Sequence, residues 1–387
     1  MTTSERTRLV QHFCIREELA TYDPYDIWKT AIGVRVKRLF NHRRPFGLLP
    51  AAALTVLDTF LNNRRRLCYA PQEYPVVRAL AALSLLNLYR RTPQADLIVA
   101  AVVHLNWLAA HSCSGYSGPC WGLDFEYPVS RTVEYDSNTP LSTMTPYALE
   151  AFVRYAALTG DERFDNVIRG VFRFLECDLH IMKESDEYLA TSYAARRDRI
   201  VVNAVSYTMY SYAMLLPYLT GEKRTAAEAK LQKLYAYVCS TQRRDGSWFY
   251  SPEGKSFIDC FHSCIVLKNI VKTAALVKLE NWERIVSRGY SFLFDHMLDQ
   301  KLYLFRRFAI SNKPSIIKFD LYDNAEMLTL AILLDDRSLI EKLRLSIEQH
   351  FVVGHDIYSQ IDIFGTRRNR NTLRWAVMPL MYAVSQI

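Results

Sequence analysis

A chain of 387 residues, half of them hydrophobic, could hold two or three domains or one large domain built from repeats. Thirteen glycines and fourteen prolines are too few for a protein of short strands and tight turns, and favour long helices. A net charge of +8 favours an anionic partner (acidic sugar, phosphate, nucleic acid or membrane surface) without choosing among them.

The opening stretch, MTTSERTRLVQHF, has charge but no apolar run, so no secretory signal is expected. Residues 1–70 read as irregular helices. From Pro75, PVVRALAALSLLNLYRRTPQADLIVAAVVHLNWLAAHS reads as two helices joined at RTPQ. Its second half is interrupted by His104 and Asn106, so it reads as a buried helix and not a membrane span. From Tyr147, YALEAFVRYAALTGDERFDNVIRGVFRFLECDL repeats the form. Glycine in TGDE accepts the left-handed C-terminal geometry, and Asp161 and Glu162 suit the start of the next helix. Further pairs start at Ser206, near Phe261 and near Asp323, a recurrence of roughly 55–70 residues. In each pair the first helix is apolar all round and the second is charged on one face, which predicts inner and outer helices. The expected fold is all-α: a single α/α toroid, or six-hairpin barrel, over residues 1–387, with residues 1–70 completing the ring. Eight scattered cysteines without regular spacing read as free thiols, which together with the absent signal predicts a cytoplasmic protein.

Loops after the outer helices are long and alike. They cover residues 113–135, 184–204, 243–263, 298–324 and 353–375, each mixing aromatic rings with Asp, Arg or Asn. Occupying the same place in the repeat, they should share one end of the ring and floor a cleft. In DGSWFYSPEGKSFIDCFHSC, Asp259 and His262 stand at i and i+3 at a helix start, on one face. Asp259 could instead be an N-cap and His262 a core histidine. Trp121, Trp248 and Tyr250 are either hydrophobic plugs or platforms on which a sugar ring stacks. Asp124 and Glu126 flank Phe125, and alternation in an extended segment would point both acids one way, as a general acid and base. Arg131, Arg196, Arg197, Arg199 and the RRNRNTLR segment read singly as surface charge, and together as a preference for an acidic saccharide. Cys260, His262 and Cys264 at i, i+2 and i+4 do not share a helix face, so no metal is expected. QRRDGSW matches a triterpene-cyclase turn, but occurs once and without an Asp-rich motif. The basic residues form no stripe, which argues against nucleic acid.

CWGLDFEYPVSR, VVNA and DGSWFYSPEGKSFIDCFHS resemble signature loops of the VpsJ-type bacterial polysaccharide biosynthesis proteins. These sit among α/α-toroid carbohydrate-active enzymes: uronyl hydrolases, N-acylglucosamine epimerases and uronyl C5-epimerases. The resemblance covers Cys120 to Gln386 and carries Trp121, Glu126, Arg131, Asn203, Trp248, Tyr250, Asp259, Phe261 and His262. FDLYDNAE keeps Asp320 of the fourth motif but has Tyr322 where the family has His. The resemblance implies an enzyme of surface-polysaccharide biosynthesis acting on a uronate-type saccharide by acid/base chemistry such as epimerisation. A hydrolase or lyase, or a non-catalytic saccharide-binding partner of glycosyltransferases, is the alternative. Asp259, His262, Asp124 and Glu126 are the catalytic candidates. Trp121, Arg131, Asn203, Tyr207, Trp248, Tyr250, Asp320 and Tyr322 are the substrate-binding candidates. No cofactor is expected.

Overall fold

A computed structural model describes residues 2–62, 66, 69–252, 256–311 and 315–387. Parts of the third and fourth loops, residues 253–255 and 312–314, lie outside the described residues, as does Cys68. Fourteen α-helices are found among the described residues. They are α1 (Thr3–Cys14), α2 (Ala31–His42), α3 (Arg44–Val56), α4 (Pro75–Arg91), α5 (Ala95–Ala110), α6 (Thr145–Thr159) and α7 (Asp165–Cys177). Then follow α8 (Val202–Leu215), α9 (Gly221–Ser240), α10 (Cys260–Ala274), α11 (Trp282–Met297), α12 (Leu321–Leu333), α13 (Arg337–Phe351) and α14 (Met378–Val384).

Hydrophobicity sorts them as the pattern predicts. Every residue of α8 is buried, whereas α7 buries only the stripe Ile168, Gly170, Val171, Phe174 and Leu175. The six inner helices α4, α6, α8, α10, α12 and α14 each pack on the next, and α14 packs back on α4. The ring is therefore closed, an α/α toroid. α1 packs on both α4 and α14, so the start of the chain supplies the outer partner of its last inner helix. Local signals fix several boundaries. Gly160 ends α6 at φ 68°, and its amide bonds Ala156. Asp161 does not open the next helix as expected. It accepts from the Arg163 amide at 2.9 Å and holds the turn, and α7 begins at Asp165.

The five loops form one continuous rim. Tyr135 reaches Asp198, and Leu141 bridges Ala194, joining the first loop to the second. Val202 N–H donates to the Tyr250 carbonyl, joining the second to the third. Strand Ile258–Asp259 pairs antiparallel with Phe308–Ile310, and Ile317–Asp320 with Asp356–Asp362, joining the third, fourth and fifth. Leu373 N–H donates to Thr21, and Gln72 to the carbonyls of Leu123 and Asp124, so the N-terminal segment completes the circuit.

His104 on α5 fastens α1 to the ring. Its Nε2 lies 2.7 Å from the Cys14 carbonyl and its Nδ1 3.0 Å from an Arg78 nitrogen. That arrangement suits a neutral ring, which donates from Nε2 and accepts at Nδ1. Burial is the chief reason its pKa falls from 6.5 to about 4. The folded value lies below the unfolded one, so the unfolded chain takes the proton first as pH falls. The stability is whole above 6.5 and is lost between 6.5 and about 4. That interval corresponds to about 3 kcal/mol. His104→Gln keeps a donor and an acceptor but cannot titrate. Its melting temperature is expected to fall less than that of the wild type between pH 7 and pH 4.5. Parallel melting curves for the two proteins would remove His104 as the titrating group.

Candidate active site

Each rim loop leads into the N-terminus of an inner helix, so these positive dipole ends converge on one cleft. Asp259 is the residue preceding α10, at φ −124° and ψ 164°, but its carboxylate caps no backbone amide. It faces His262 instead, with Nδ1 2.8 and 2.7 Å from the two carboxylate oxygens. Ser263 Oγ donates to the Asp259 carbonyl at 2.7 Å, and Cys260 N–H to the Arg307 carbonyl at 2.9 Å, fixing the backbone beneath the pair. A carboxylate accepting from Nδ1–H holds the tautomer whose Nε2 lone pair is free. Among the described residues nothing hydrogen-bonds Nε2, and the His262 side chain is 19% exposed. Its ring lies 4.6 Å from that of Tyr250, 5.9 Å from Phe257 and 3.8 Å from Phe261.

Arg199 joins this dyad through Tyr250, whose ring neighbours both His262 and the guanidinium. Its guanidinium carbon is 4.5 Å from the Tyr193 ring centroid and 5.7 Å from that of Tyr250. Among the described residues no carboxylate pairs with Arg199, and its buried Nε has no partner. Asn203, second residue of α8, has a buried Oδ1 that is likewise unpartnered. Asn203, Tyr250, Asp259 and His262 line one small cavity. Burial, and then the neighbouring Tyr193, push the Tyr250 phenol well above its ordinary value, so it stays protonated and can donate. The site thus offers a base, a neutral phenol and an uncompensated cation.

The other wall is aromatic. Tyr322 stacks on Phe261 at 5.0 Å, and Trp375 meets Tyr322 edge-on at 5.3 Å and Tyr25 at 5.5 Å. Trp375 Nε1 donates to Asp320 Oδ2 at 2.9 Å. The adjoining Ala376 has φ 127°, a strained value for a residue with a Cβ, and this kink turns the chain from Trp375 into α14. Arg374 beside it pairs with Asp23 at 2.5 Å.

Several expected site residues are elsewhere. Trp121 is wholly buried and donates to the Leu108 carbonyl at 2.9 Å. Trp248 donates to the Val238 carbonyl at 2.9 Å, with its ring edge over Gly289, where a Cβ would come within 2.8 Å. Trp121 is a plug in the core, whereas Trp248, though anchored in the same way, also lines the small cavity at the dyad together with Tyr250. Tyr207 is buried too, its hydroxyl 2.5 Å from that of Tyr147, so it is floor and not contact surface. Asp320 is fully buried, tied to Trp375, to Gln360 at 3.0 Å and to the Tyr322 amide at 3.0 Å. It positions the aromatic wall. Asp124 lies at φ 56°, which breaks the alternation expected of an extended segment, so it does not align with Glu126. Glu126 forms an ion pair with Arg38, which also holds Glu134. Arg131 is exposed in the turn between Pro128 and Glu134. Cys260 and Cys264 face each other at 3.8 Å in the core, while His262 turns to Asp259.

Sequence reasoning missed Phe257, Tyr193, Arg374 and Trp375 as individual site residues, although the loops containing them were singled out. The position shared by Asn203, His262 and Tyr322, second or third in an inner helix, is the signal that could have pointed to the chain just ahead of α14.

No protein-family model and no curated protein matches the chain. Solved structures do. Cellobiose 2-epimerase from Bacillus thermoamylovorans aligns with a TM-score of 0.62 at 9% identity, over 81% of this chain and 87% of that one. A D-mannose isomerase aligns at 0.59 and 14% identity, over 81% and 87%. A polysaccharide lyase aligns at 0.54 and 10% identity, over 81% and 90%. At such identities the likeness is one of fold, that of the α/α toroids among carbohydrate-active proteins.

Proposed function

We propose that this protein is a carbohydrate-active enzyme that removes the proton beside the carboxylate of a uronate residue in an acidic saccharide, and inverts that carbon. A proton is delivered on the opposite face, where the protonated Tyr322 phenol of the facing wall is the available donor. The observation that carries the reading is the Asp259–His262 dyad, which shares Tyr250 as a neighbour with the Arg199 guanidinium. Among the described residues Nε2 of His262 is not hydrogen-bonded and Arg199 is not paired with a carboxylate. A proton α to a carboxylate is removable only if the developing charge is stabilised. Arg199 and the Asn203 amide are the groups available to do so. His262 acts as the base, held in its tautomer by Asp259.

Elimination is the second reading. It is favoured by Tyr250, a neutral phenol on the same side as His262, where it can protonate a departing glycosidic oxygen. Hydrolysis has less support, because Asp124 and Glu126 do not form a facing pair. The motif resemblance supports a place in bacterial surface-polysaccharide biosynthesis, with glycosyltransferases of an assembly system as partners in the cytoplasm. No helix among the described residues is long and apolar enough to cross a membrane.

The test is solvent exchange. Polymannuronate, polyguluronate and glucuronan are incubated with the protein in D₂O and followed by proton NMR. Epimerisation places deuterium at C5 with inversion, and elimination gives an unsaturated uronate. Arg199→Ala is expected to lower kcat/KM by about 10–100-fold, mostly through kcat, the worth of a charged hydrogen bond of about 1.5–3 kcal/mol. Saturable binding without exchange into any of these glycans would replace the enzyme with a saccharide-binding protein. No binding at all would remove the uronate.

A further inference from the structure

The structure assigns a second surface, independent of the reaction: helices α2 and α3 form a hairpin that docks in the plane of an anionic lipid bilayer. The sequence RPFGLLPAAALTV of α3 is among the most apolar in the chain, yet among its residues only Gly47 is buried. Gly47 is the contact with α2, where a Cβ would come within 2.3 Å of the Phe40 backbone. The rest of the helix has no covering layer. Phe46, Leu49 and Val56 are 72%, 78% and 58% exposed, and with Ala53 they stand at i, i+3, i+10 and i+7, one stripe of a helix. Leu48, Phe60 and Leu61 widen it, and Ile32 and Leu39 extend it onto α2. Singly exposed apolar side chains are ordinary, but a contiguous apolar face on neighbouring helices is not.

Charge selects the occupant. Residues 31–56 carry Arg35, Lys37, Arg38, Arg43 and Arg44 and no acid. Arg35, Arg43 and Arg44 are exposed beside the apolar stripe. A second copy of this chain would bring like charges together across a two-fold axis. An anionic bilayer takes both features at once, accepting the apolar side chains below the headgroups and pairing the cations with lipid phosphates. α2 is fixed to the cleft rim through Arg38 and its partners Glu126 and Glu134, so docking holds the cleft mouth beside the membrane.

Full-length protein is mixed with vesicles of phosphatidylcholine alone or with about one-third phosphatidylglycerol, then sedimented. Binding is expected to the anionic vesicles, weak to the neutral ones, and reduced by high salt. Phe46→Glu with Leu49→Glu should weaken it by at least about tenfold. Because both residues are exposed, the melting temperature should not change. Equal binding to both vesicle types, or unchanged binding by the double variant, overturns the proposal. So does a concentration-dependent dimer, abolished by the double variant, without vesicle binding. Uronate exchange is not read in this experiment, so its outcome is separate from that of the proposed reaction.

Discussion

His262→Gln is expected to lower the rate of uronate proton exchange by about 10²–10⁴, the range for loss of a positioned acid–base group. Alanine is the less informative replacement. It strips the buried Asp259 carboxylate of its donor, and an unsatisfied buried group costs about 1–3 kcal/mol on its own. Glutamine can still donate to Asp259 while offering no lone pair of comparable basicity at Nε2, so fold and chemistry part. Asp259→Asn is the complementary variant. Its amide can donate to Nδ1, which forces the proton to Nε2 and leaves the base in the wrong tautomer. A comparable loss of rate is expected, with a melting temperature close to that of the wild type, since the Asp259 carboxylate caps no amide of α10. The measurement is deuterium incorporation and thermal unfolding on the same preparations. If His262→Gln exchanges protons at the wild-type rate, the base lies elsewhere on the cleft wall, and the phenols of Tyr250 and Tyr322 become the groups to replace.

The repeat was legible because each inner helix is apolar all round and each outer one is apolar on a stripe, a contrast that survives in a single sequence. Closure was expected as well, with residues 1–70 completing the ring. The particular contact was not legible: α1 meets α14, the two ends of the chain, and nothing local in the charged N-terminal sequence specifies it. The dyad was legible for the opposite reason. Two residues at i and i+3 are brought together by the helix itself, whatever the rest of the fold does. Trp121 was misplaced because an indole looks the same in sequence whether it plugs a core or floors a cleft. The Leu108 carbonyl, waiting for the indole N–H, holds it in the core, while Trp248, held likewise by Val238, still borders the cavity at the dyad. Arg374 and Arg199 both stood in the group of basic loop residues, but nothing in the sequence separated them from the rest. Asp23, the partner of Arg374, lies at the other end of the chain. Arg199 is set apart from the exposed Arg131, Arg196 and Arg197 by its half-buried side chain with an unpartnered Nε.

Below the cleft the ring axis carries a polar layer that no sequence pattern announces. Lys268 on α10 and Glu326 on α12 meet at 2.5 Å with side chains 3% and 5% exposed, and the ammonium lies 5.6 Å from the Tyr147 ring. The pair sits under the Tyr147–Tyr207 hydroxyl contact that floors the site. Glu326→Leu is expected to cost about 3–5 kcal/mol, because it leaves a buried ammonium with no counter-charge, and Lys268→Met should cost about as much by stranding the carboxylate. The variant carrying both substitutions should be more stable than either one alone. The attraction between the charges largely repays their desolvation, so removing both at once loses little, and the hydrophobic replacements fill similar space. Urea unfolding of the four proteins, with the slope checked for constancy, reads this directly. Additive losses, totalling about 6–10 kcal/mol in the double variant, would show that each side chain is held by other groups and that the ion pair is not the unit.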